Sequence, residues 1–276
     1  MVFLNGKFIA KDQAFVPVMD RGFLFGDGVY EVIPVYNRKL FRLEAHLNRL
    51  QESLNSVAIK SPYNVNEWLE IINQIVSYSE HDNQSIYLQI TRGSGTKRAH
   101  TYNELSPNIY IESNPLNPRS QKEASEGFSA ITREDIRWGR CDIKSTSLLA
   151  NILYTQQAKQ HGAEEAILFK NNKVTEGATS NVFLITGGTL YTHPTGTEIL
   201  SGITRDLVLE GANSCDIIIR ENAFTIDDML SGDEVWISSS TREVIPITKV
   251  DHNLINNGEV GEHWKRVYKH YHKLTN

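Results

Sequence analysis

Two short segments could do chemistry together. Lys144 lies in Arg137-Trp138-Gly139-Arg140-Cys141-Asp142-Ile143-Lys144-Ser145, just ahead of an apolar helical run, and Glu176 follows in Val174-Thr175-Glu176-Gly177. A lysine amine attacks an aldehyde once it has lost its proton, and burial favours that loss. A carboxylate can keep a heteroaromatic nitrogen protonated, so that the ring draws electrons from a carbanion. Ile143, Leu148 and Leu149 suggest a sheltered place for the lysine, and Gly177 permits close approach of a ligand or backbone to Glu176. Each residue also has a plain reading: Lys144 as a solvated lysine ahead of a helix, Glu176 as an exposed strand residue.

Other residues have the types needed to hold anions. Ser201-Gly202-Ile203-Thr204-Arg205-Asp206 opens a helical pattern, and the N–H groups of a helix N-terminus bind phosphate well. Ser238-Ser239-Ser240-Thr241 ends an apolar strand and adds hydroxyls, and Arg49 could bring the counter-charge. In Thr91-Arg92-Gly93-Ser94-Gly95-Thr96-Lys97-Arg98-Ala99-His100, Arg98 and His100 alternate, so in extended geometry they point the same way and can clamp one carboxylate. Tyr30 could add a hydroxyl from its strand. Standing alone, the serine and glycine runs read as caps and turns, Arg49 as the partner of a surface acid, and the Arg98 segment as a solvated basic loop.

The elements that must position these groups follow from periodicity. Phe3-Leu4 and Phe8-Ile9 flank Asn5-Gly6 as a hairpin, and 30–36 and 40–42 flank the polar turn Asn37-Arg38-Lys39 as a second. Leu43, Leu47, Leu50, Leu54 and Val57 recur at helical spacing, and a second helix fits 66–79 with Leu69, Ile72 and Val76 inward. Strands fit 85–91, 108–112, 166–170, 181–185, 216–220 and 234–238, and helices 147–161, 203–212 and 259–274. The polar stretch 113–126, with two prolines, reads as a linker. Gly22, Gly26 and Gly28 do not lead a strand into a helix, miss the dinucleotide fingerprint, and read as a turn before the Tyr30 strand.

Bulk properties narrow the class. The chain has 276 residues, 40% of them hydrophobic and 22% charged, which is ordinary globular composition. A net charge of −5 argues against nucleic-acid binding. Cys141 and Cys215 form neither a metal spacing nor a disulfide framework. His270 and His272 sit on a polar helical stretch and read as a solvated face, not as metal ligands. No signal-peptide pattern opens the chain and no apolar run approaches a membrane span, so a cytoplasmic protein is expected.

The segments DRGFLFGDGVYEV (20–32), HLNRL (46–50), TRGSGTKRAH (91–100), EDIRWGRCDIKS (134–145), VTEGATSNVF (174–183), LSGITRD (200–206) and SSSTREVIP (238–246), in this order, resemble the class IV (fold-type IV) aminotransferases along essentially the whole chain. The resemblance implies a mixed α+β or α/β fold in two domains, with pyridoxal 5′-phosphate in the cleft between them. The expected bounds are 1–113 for the first domain, 114–126 for a linker and 127–276 for the second, which carries the lysine. The resemblance further implies Lys144 as the residue that bonds the cofactor and shuttles the proton, and Glu176 as the partner of the pyridine nitrogen. Arg49, Ile203, Thr204, Ser240 and Thr241 would hold the phosphate, with Leu200 against the ring. Tyr30, Arg98 and His100 would bind the substrate α-carboxylate, the last two on a loop given by the neighbouring subunit of a homodimer. The Arg-Ala-His triplet favours a D-amino acid, with D-alanine and D-glutamate as the expected pair and a 2-oxo acid as acceptor. The branched-chain L-aminotransferases and the aminodeoxychorismate lyases share the lysine and the glutamate and stand as alternatives.

Overall fold

A computed structural model describes residues 1–275, and the chain divides into two compact units. The first comprises Met1–Asn117 together with Ile143–Leu148, and the second Pro118–Asp142 together with the chain from Leu149 onward. The Lys144 segment therefore groups with the first unit, whereas the sequence bounds place it in a second domain ending at Asn276, which lies outside the described residues.

In the first unit, β1 (Val2–Leu4), β2 (Lys7–Ile9), α1 (Arg21–Phe25), β3 (Gly28–Tyr36), β4 (Lys39–Leu40), α2 (Leu43–Ser56), α3 (Val65–Tyr78), β5 (Gln84–Thr91) and β6 (Asn108–Pro115) follow one another. The strands form one sheet in the order β2-β1-β6-β5-β3-β4, with every neighbouring pair antiparallel. Asn5-Gly6 closes the first hairpin with Leu4 opposite Lys7, as its turn chemistry dictates. In β5 the alternation is strict: Ile86, Leu88 and Ile90 are fully buried while Ser85, Tyr87 and Gln89 are half-buried on the other face. Leu47, Leu50 and Leu54 of α2 and Trp68, Ile72, Ile75 and Val76 of α3 fill the core with them. Leu69, expected inward, is exposed; Trp68 takes the inward position because the apolar stripe of α3 runs one residue earlier there. Asn64 and Glu67 start that helix with a reciprocal capping box.

The glycine-rich stretch 22–28, expected as a turn, lies partly in the one-turn helix α1. Asp20 caps it by accepting from the Phe23 N–H at 3.1 Å, and Gly26 ends it in the left-handed region. At the far end of β5 the chain turns through Gly93, whose φ is +101° and where a Cβ would come within 1.9 Å of the Ser106 carbonyl oxygen. Gly93→Ala is expected to cost about 2 kcal/mol or more of stability. Denaturant titration checks this, and an unchanged midpoint would contradict it.

In the second unit come α4 (Gln121–Ala124), β7 (Phe128–Glu134), α5 (Leu149–Gln160), β8 (Glu165–Lys170), β9 (Lys173–Gly177), β10 (Asn181–Thr186), β11 (Thr189–Thr192), α6 (Ile203–Ser214), β12 (Ile218–Arg220), α7 (Ile226–Leu230), β13 (Glu234–Ser239), β14 (Glu243–Val250), β15 (Asn253–Leu254) and α8 (Glu262–Thr275). The sheet order is β12-β11-β10-β13-β14-β7-β8-β9, with β15 on β14. It is mixed: β11–β12, β14–β7 and β7–β8 run parallel and the other pairs antiparallel. Its inner strands β10 and β13 bury both faces, around the apolar runs 182–185 and 235–237. The stretch 113–126 is not featureless: β6 runs to Pro115, and Ser120 with Glu123 caps α4. The helix carrying His270 and His272 buries Trp264, Val267, Tyr268 and Tyr271. His272 is not simply solvated, because its Nε2 lies 3.1 Å from Glu243 Oε2. No helix among the described residues is long and apolar enough to cross a membrane.

Candidate active site

In the first unit Lys144 is held by its backbone. Its N–H donates to Ser53 Oγ at 3.2 Å and its carbonyl accepts from the Tyr30 N–H at 3.0 Å. Ser145 bridges to Val29, and the Thr146 N–H donates to the Gly28 carbonyl at 3.0 Å, so 144–146 run antiparallel along the start of β3. The Lys144 side chain is half-buried, with Nζ 4.3 Å from the centre of the Tyr30 ring. Tyr30 packs on Tyr87, and Tyr87 on Tyr110. Burial pushes the Tyr87 phenol up to about 12, aided by Tyr30 and Glu112.

Glu31 follows Tyr30 on β3, so it points to the opposite face, where it is fully buried. Arg49 reaches it from α2 with two parallel bonds, Nε to Oε1 and Nη2 to Oε2, both 2.8 Å. His46, one turn earlier, places Nδ1 2.8 Å from Glu31 Oε2. Burial opposes ionisation of Glu31, but the charge and hydrogen bonds of Arg49, with His46, outweigh it and hold the carboxyl far below its ordinary value. Burial also lowers His46, and Glu31 only partly offsets this. Arg49 therefore pairs with a buried acid, not a surface one. Glu31 escaped the sequence reading because an acid inside an apolar strand carries no periodic mark of its partner.

Arg98 and His100 are both exposed, and both lie against Phe25: the Arg98 guanidinium is 5.0 Å and the His100 ring 5.6 Å from its centre. The backbone between them is fixed by Arg21, which donates to the carbonyls of Ala99 at 2.6 Å and His100 at 3.0 Å. Asp27 binds both Arg21 and Arg92. Burial opposes ionisation of Asp27, and the two guanidiniums outweigh it, keeping the carboxyl below its ordinary value. Arg21 and Asp27 were not singled out as site residues from the sequence, although both stand in the segment 20–32.

In the second unit Glu176 is buried near the end of β9. Oε1 accepts from Arg137 Nη1, and Oε2 from Asn181 Nδ2 at 3.2 Å and the Leu200 N–H at 3.0 Å. Arg137 also grips Asp135, Nε to Oδ1 at 2.9 Å and Nη2 to Oδ2 at 2.7 Å. One guanidinium thus serves two buried carboxylates. Burial acts against Asp135 too, but its bonds to Arg137 outweigh that and hold it below its ordinary value. Glu176, with the smaller share of Arg137, is pushed by burial up to about 7. If both acids ionise, the cluster carries one uncompensated negative charge, and a cation would complete it.

Asn181 also donates to the Leu200 carbonyl at 2.8 Å, tying Glu176 to the segment that enters α6. Gly202 starts α6 with no side-chain cap, and Ile203 and Thr204 form its first turn. Ser240 and Thr241 form the turn between β13 and β14. Ser238, opposite Asn181 on the neighbouring strand, has a buried hydroxyl with no partner among the described residues. A cavity of about 370 Å³ lies beside Arg137 and Asp135, lined also by Trp138, Cys141, His193 and Glu198. The Cys141 thiol is pushed up to about 11, chiefly by burial, so it is a poor nucleophile.

Residues 28–250 match the family described as amino-transferase class IV. The D-alanine aminotransferase of Staphylococcus aureus (strain N315) is 39% identical over 274 residues, covering 99% of this chain and 96% of that protein. That of Bacillus licheniformis is 40% identical over 267 residues, covering 96% and 94%. Among solved structures, the branched-chain amino acid aminotransferase of Escherichia coli superposes with a TM-score of 0.90 at 25% identity, covering 100% of this chain and 94% of that one. That of Thermoproteus uzoniensis superposes with a TM-score of 0.87 at 24% identity, covering 99% and 94%.

Proposed function

The chain belongs to the class IV aminotransferases, and on that premise we propose that it moves the amino group of a D-amino acid, D-alanine foremost, to a 2-oxo acid such as 2-oxoglutarate. It is a pyridoxal 5′-phosphate-dependent aminotransferase of fold-type IV. When bound, pyridoxal phosphate supplies an electron sink that makes the Cα proton of an amino acid removable. The residues suit that group. The Glu176 cluster lacks one positive charge, which a protonated ring nitrogen brings, and Ser238 offers an unused buried hydroxyl.

With the cofactor bound, Lys144 Nζ would bond it at rest and, once freed by the substrate amine, would take the proton from the substrate Cα as base and return one to the cofactor carbon as acid, the other half-reaction running these transfers backward. Glu176 holds the proton on the ring nitrogen. Arg49, the first turn of α6 at Ile203 and Thr204, and the hydroxyls of Ser240 and Thr241 hold the phosphate, with Leu200 against the ring. Tyr30, Arg98 and His100 hold the substrate α-carboxylate. The observation that carries the D-amino-acid reading is the shared presentation of Arg98 and His100 on Phe25, exposed and with the backbone between them fixed by Arg21.

The Arg98 loop serves a neighbouring copy in a homodimer. Apolar side chains exposed on the single chain support this: Phe15, Val18 and Phe23 in the first unit, and Leu149, Ile152 and Leu153 along α5 in the second. The enzyme works in the cytoplasm.

The test is a half-reaction without 2-oxo acid, following the visible absorption of the bound cofactor. D-alanine should bleach it and L-leucine should not; bleaching by L-leucine alone would move the enzyme to the branched-chain class. Arg98→Ala should cut kcat/KM for D-alanine by about two orders of magnitude through loss of a charged hydrogen-bond donor.

A further inference from the structure

Glu165 opens β8 and is 1% exposed. Its Oε1 accepts from the Ala166 N–H at 2.9 Å. Its Oε2 gathers donors from two separate turns. From the turn after Glu176 come Ser180 Oγ at 2.7 Å, Thr179 Oγ1 at 3.1 Å and the Thr179 N–H at 3.3 Å. From the turn that carries Ser240 and Thr241 comes Arg242 Nη2 at 2.6 Å. Arg242 is spread over the same junction, donating also to Thr179 Oγ1 at 2.6 Å and the Glu164 carbonyl at 3.1 Å. The packing leaves no slack: a Cβ on Gly177 would fall 2.1 Å from Ser180 Oγ and 2.9 Å from Glu165 Oε2.

A buried ion pair is a poor source of net stability, since an apolar side chain of similar size serves as well or better. What it supplies is a fixed spacing between the chains it joins. Here it joins the turn following Glu176 to the turn presenting Ser240 and Thr241. We infer that Glu165 is a positioning residue which, through Arg242, seats the Ser240–Thr241 turn for the 5′-phosphate of the cofactor. This rests on the reading that Ser240 and Thr241 hold that phosphate. The ring end has its own donors: the oxygens of Glu176 are bound by Arg137, Asn181 and the Leu200 N–H, and Glu165 makes none of those bonds. The effect is therefore selective for the phosphate.

The experiment titrates cofactor-free protein with pyridoxamine 5′-phosphate and with pyridoxamine, neither of which can bond Lys144 through an aldehyde, and reads tryptophan fluorescence. Glu165→Gln keeps the shape and removes the charge. It should weaken the phosphorylated ligand about tenfold or more while pyridoxamine affinity stays within about twofold. Arg242→Lys, at a more exposed position, should give the same selective loss even if Glu165→Gln folds poorly. Equal weakening of both ligands, with a lowered Tm, identifies a structural brace and overturns the inference. So does a wild-type preference for the phosphorylated ligand that both variants retain. A wild-type protein without that preference overturns the phosphate reading itself, and the inference with it.

Discussion

Lys144→Ala should lose about four orders of magnitude in kcat for transamination while remaining folded. The lysine is asked to do two things with one nitrogen, bond the cofactor and carry the Cα proton, and alanine can do neither. The frame should survive because it is made by backbone groups. The Lys144 N–H on Ser53 Oγ and its carbonyl on the Tyr30 N–H do not depend on the side chain, whose Nζ lies over the face of the Tyr30 ring. Tm should therefore shift by no more than a few degrees. A small amine such as methylamine should restore part of the rate by carrying the proton in place of Nζ. Turnover within about tenfold of wild type would sink the assignment, since general acid–base catalysis alone is worth more than that.

Arg137→Leu should destabilise the protein by about 3–5 kcal/mol, because it leaves Asp135 and Glu176 buried without their shared cation. Denaturant titration measures it, and a loss below about 1 kcal/mol would mean that the two acids are not held as described. The pH dependence separates the carboxyls. Glu176 titrates near 7 when folded, against 4.5 ordinarily, so as pH rises the unfolded chain gives up its proton first. In cofactor-free protein the contribution of Glu176 to stability is thus full below about pH 4.5, falls between 4.5 and 7, and is gone above 7. Glu176→Gln should remove that slope. A cationic ring nitrogen offsets it by pairing with the carboxylate, so the stabilisation brought by the cofactor should grow with pH across the same window. A slope that is identical in Glu176→Gln would assign it to another group.

Much of this was legible in the chain. The stripe of α2 and the Asn5-Gly6 hairpin are local, and periods of 3.6 and 2 report local geometry directly. Lys144 and Glu176 stood out as candidates because the segments around them have a distinctive wording. Where locality ended, the reading failed. α3 turned so that Trp68 and not Leu69 faces the core, and a glycine run read as a turn became a capped helix, because packing and a single Asp20 hydrogen bond outweighed weak propensity.

The amino-acid order by itself determined the five longer helices, most strands, the family and the residues proposed to meet the cofactor. Only the tertiary structure decided how those residues are charged and held. It gave Arg137 to both Glu176 and Asp135, Glu31 to Arg49, Arg21 to the Arg98–His100 backbone and Glu165 to Arg242, and it grouped the Lys144 segment with the first unit. The physical reason is that periodicity records which side of an element is apolar. A buried charge instead takes its partner from whatever distant segment the fold brings within about 3 Å, and composition and spacing leave that choice unwritten.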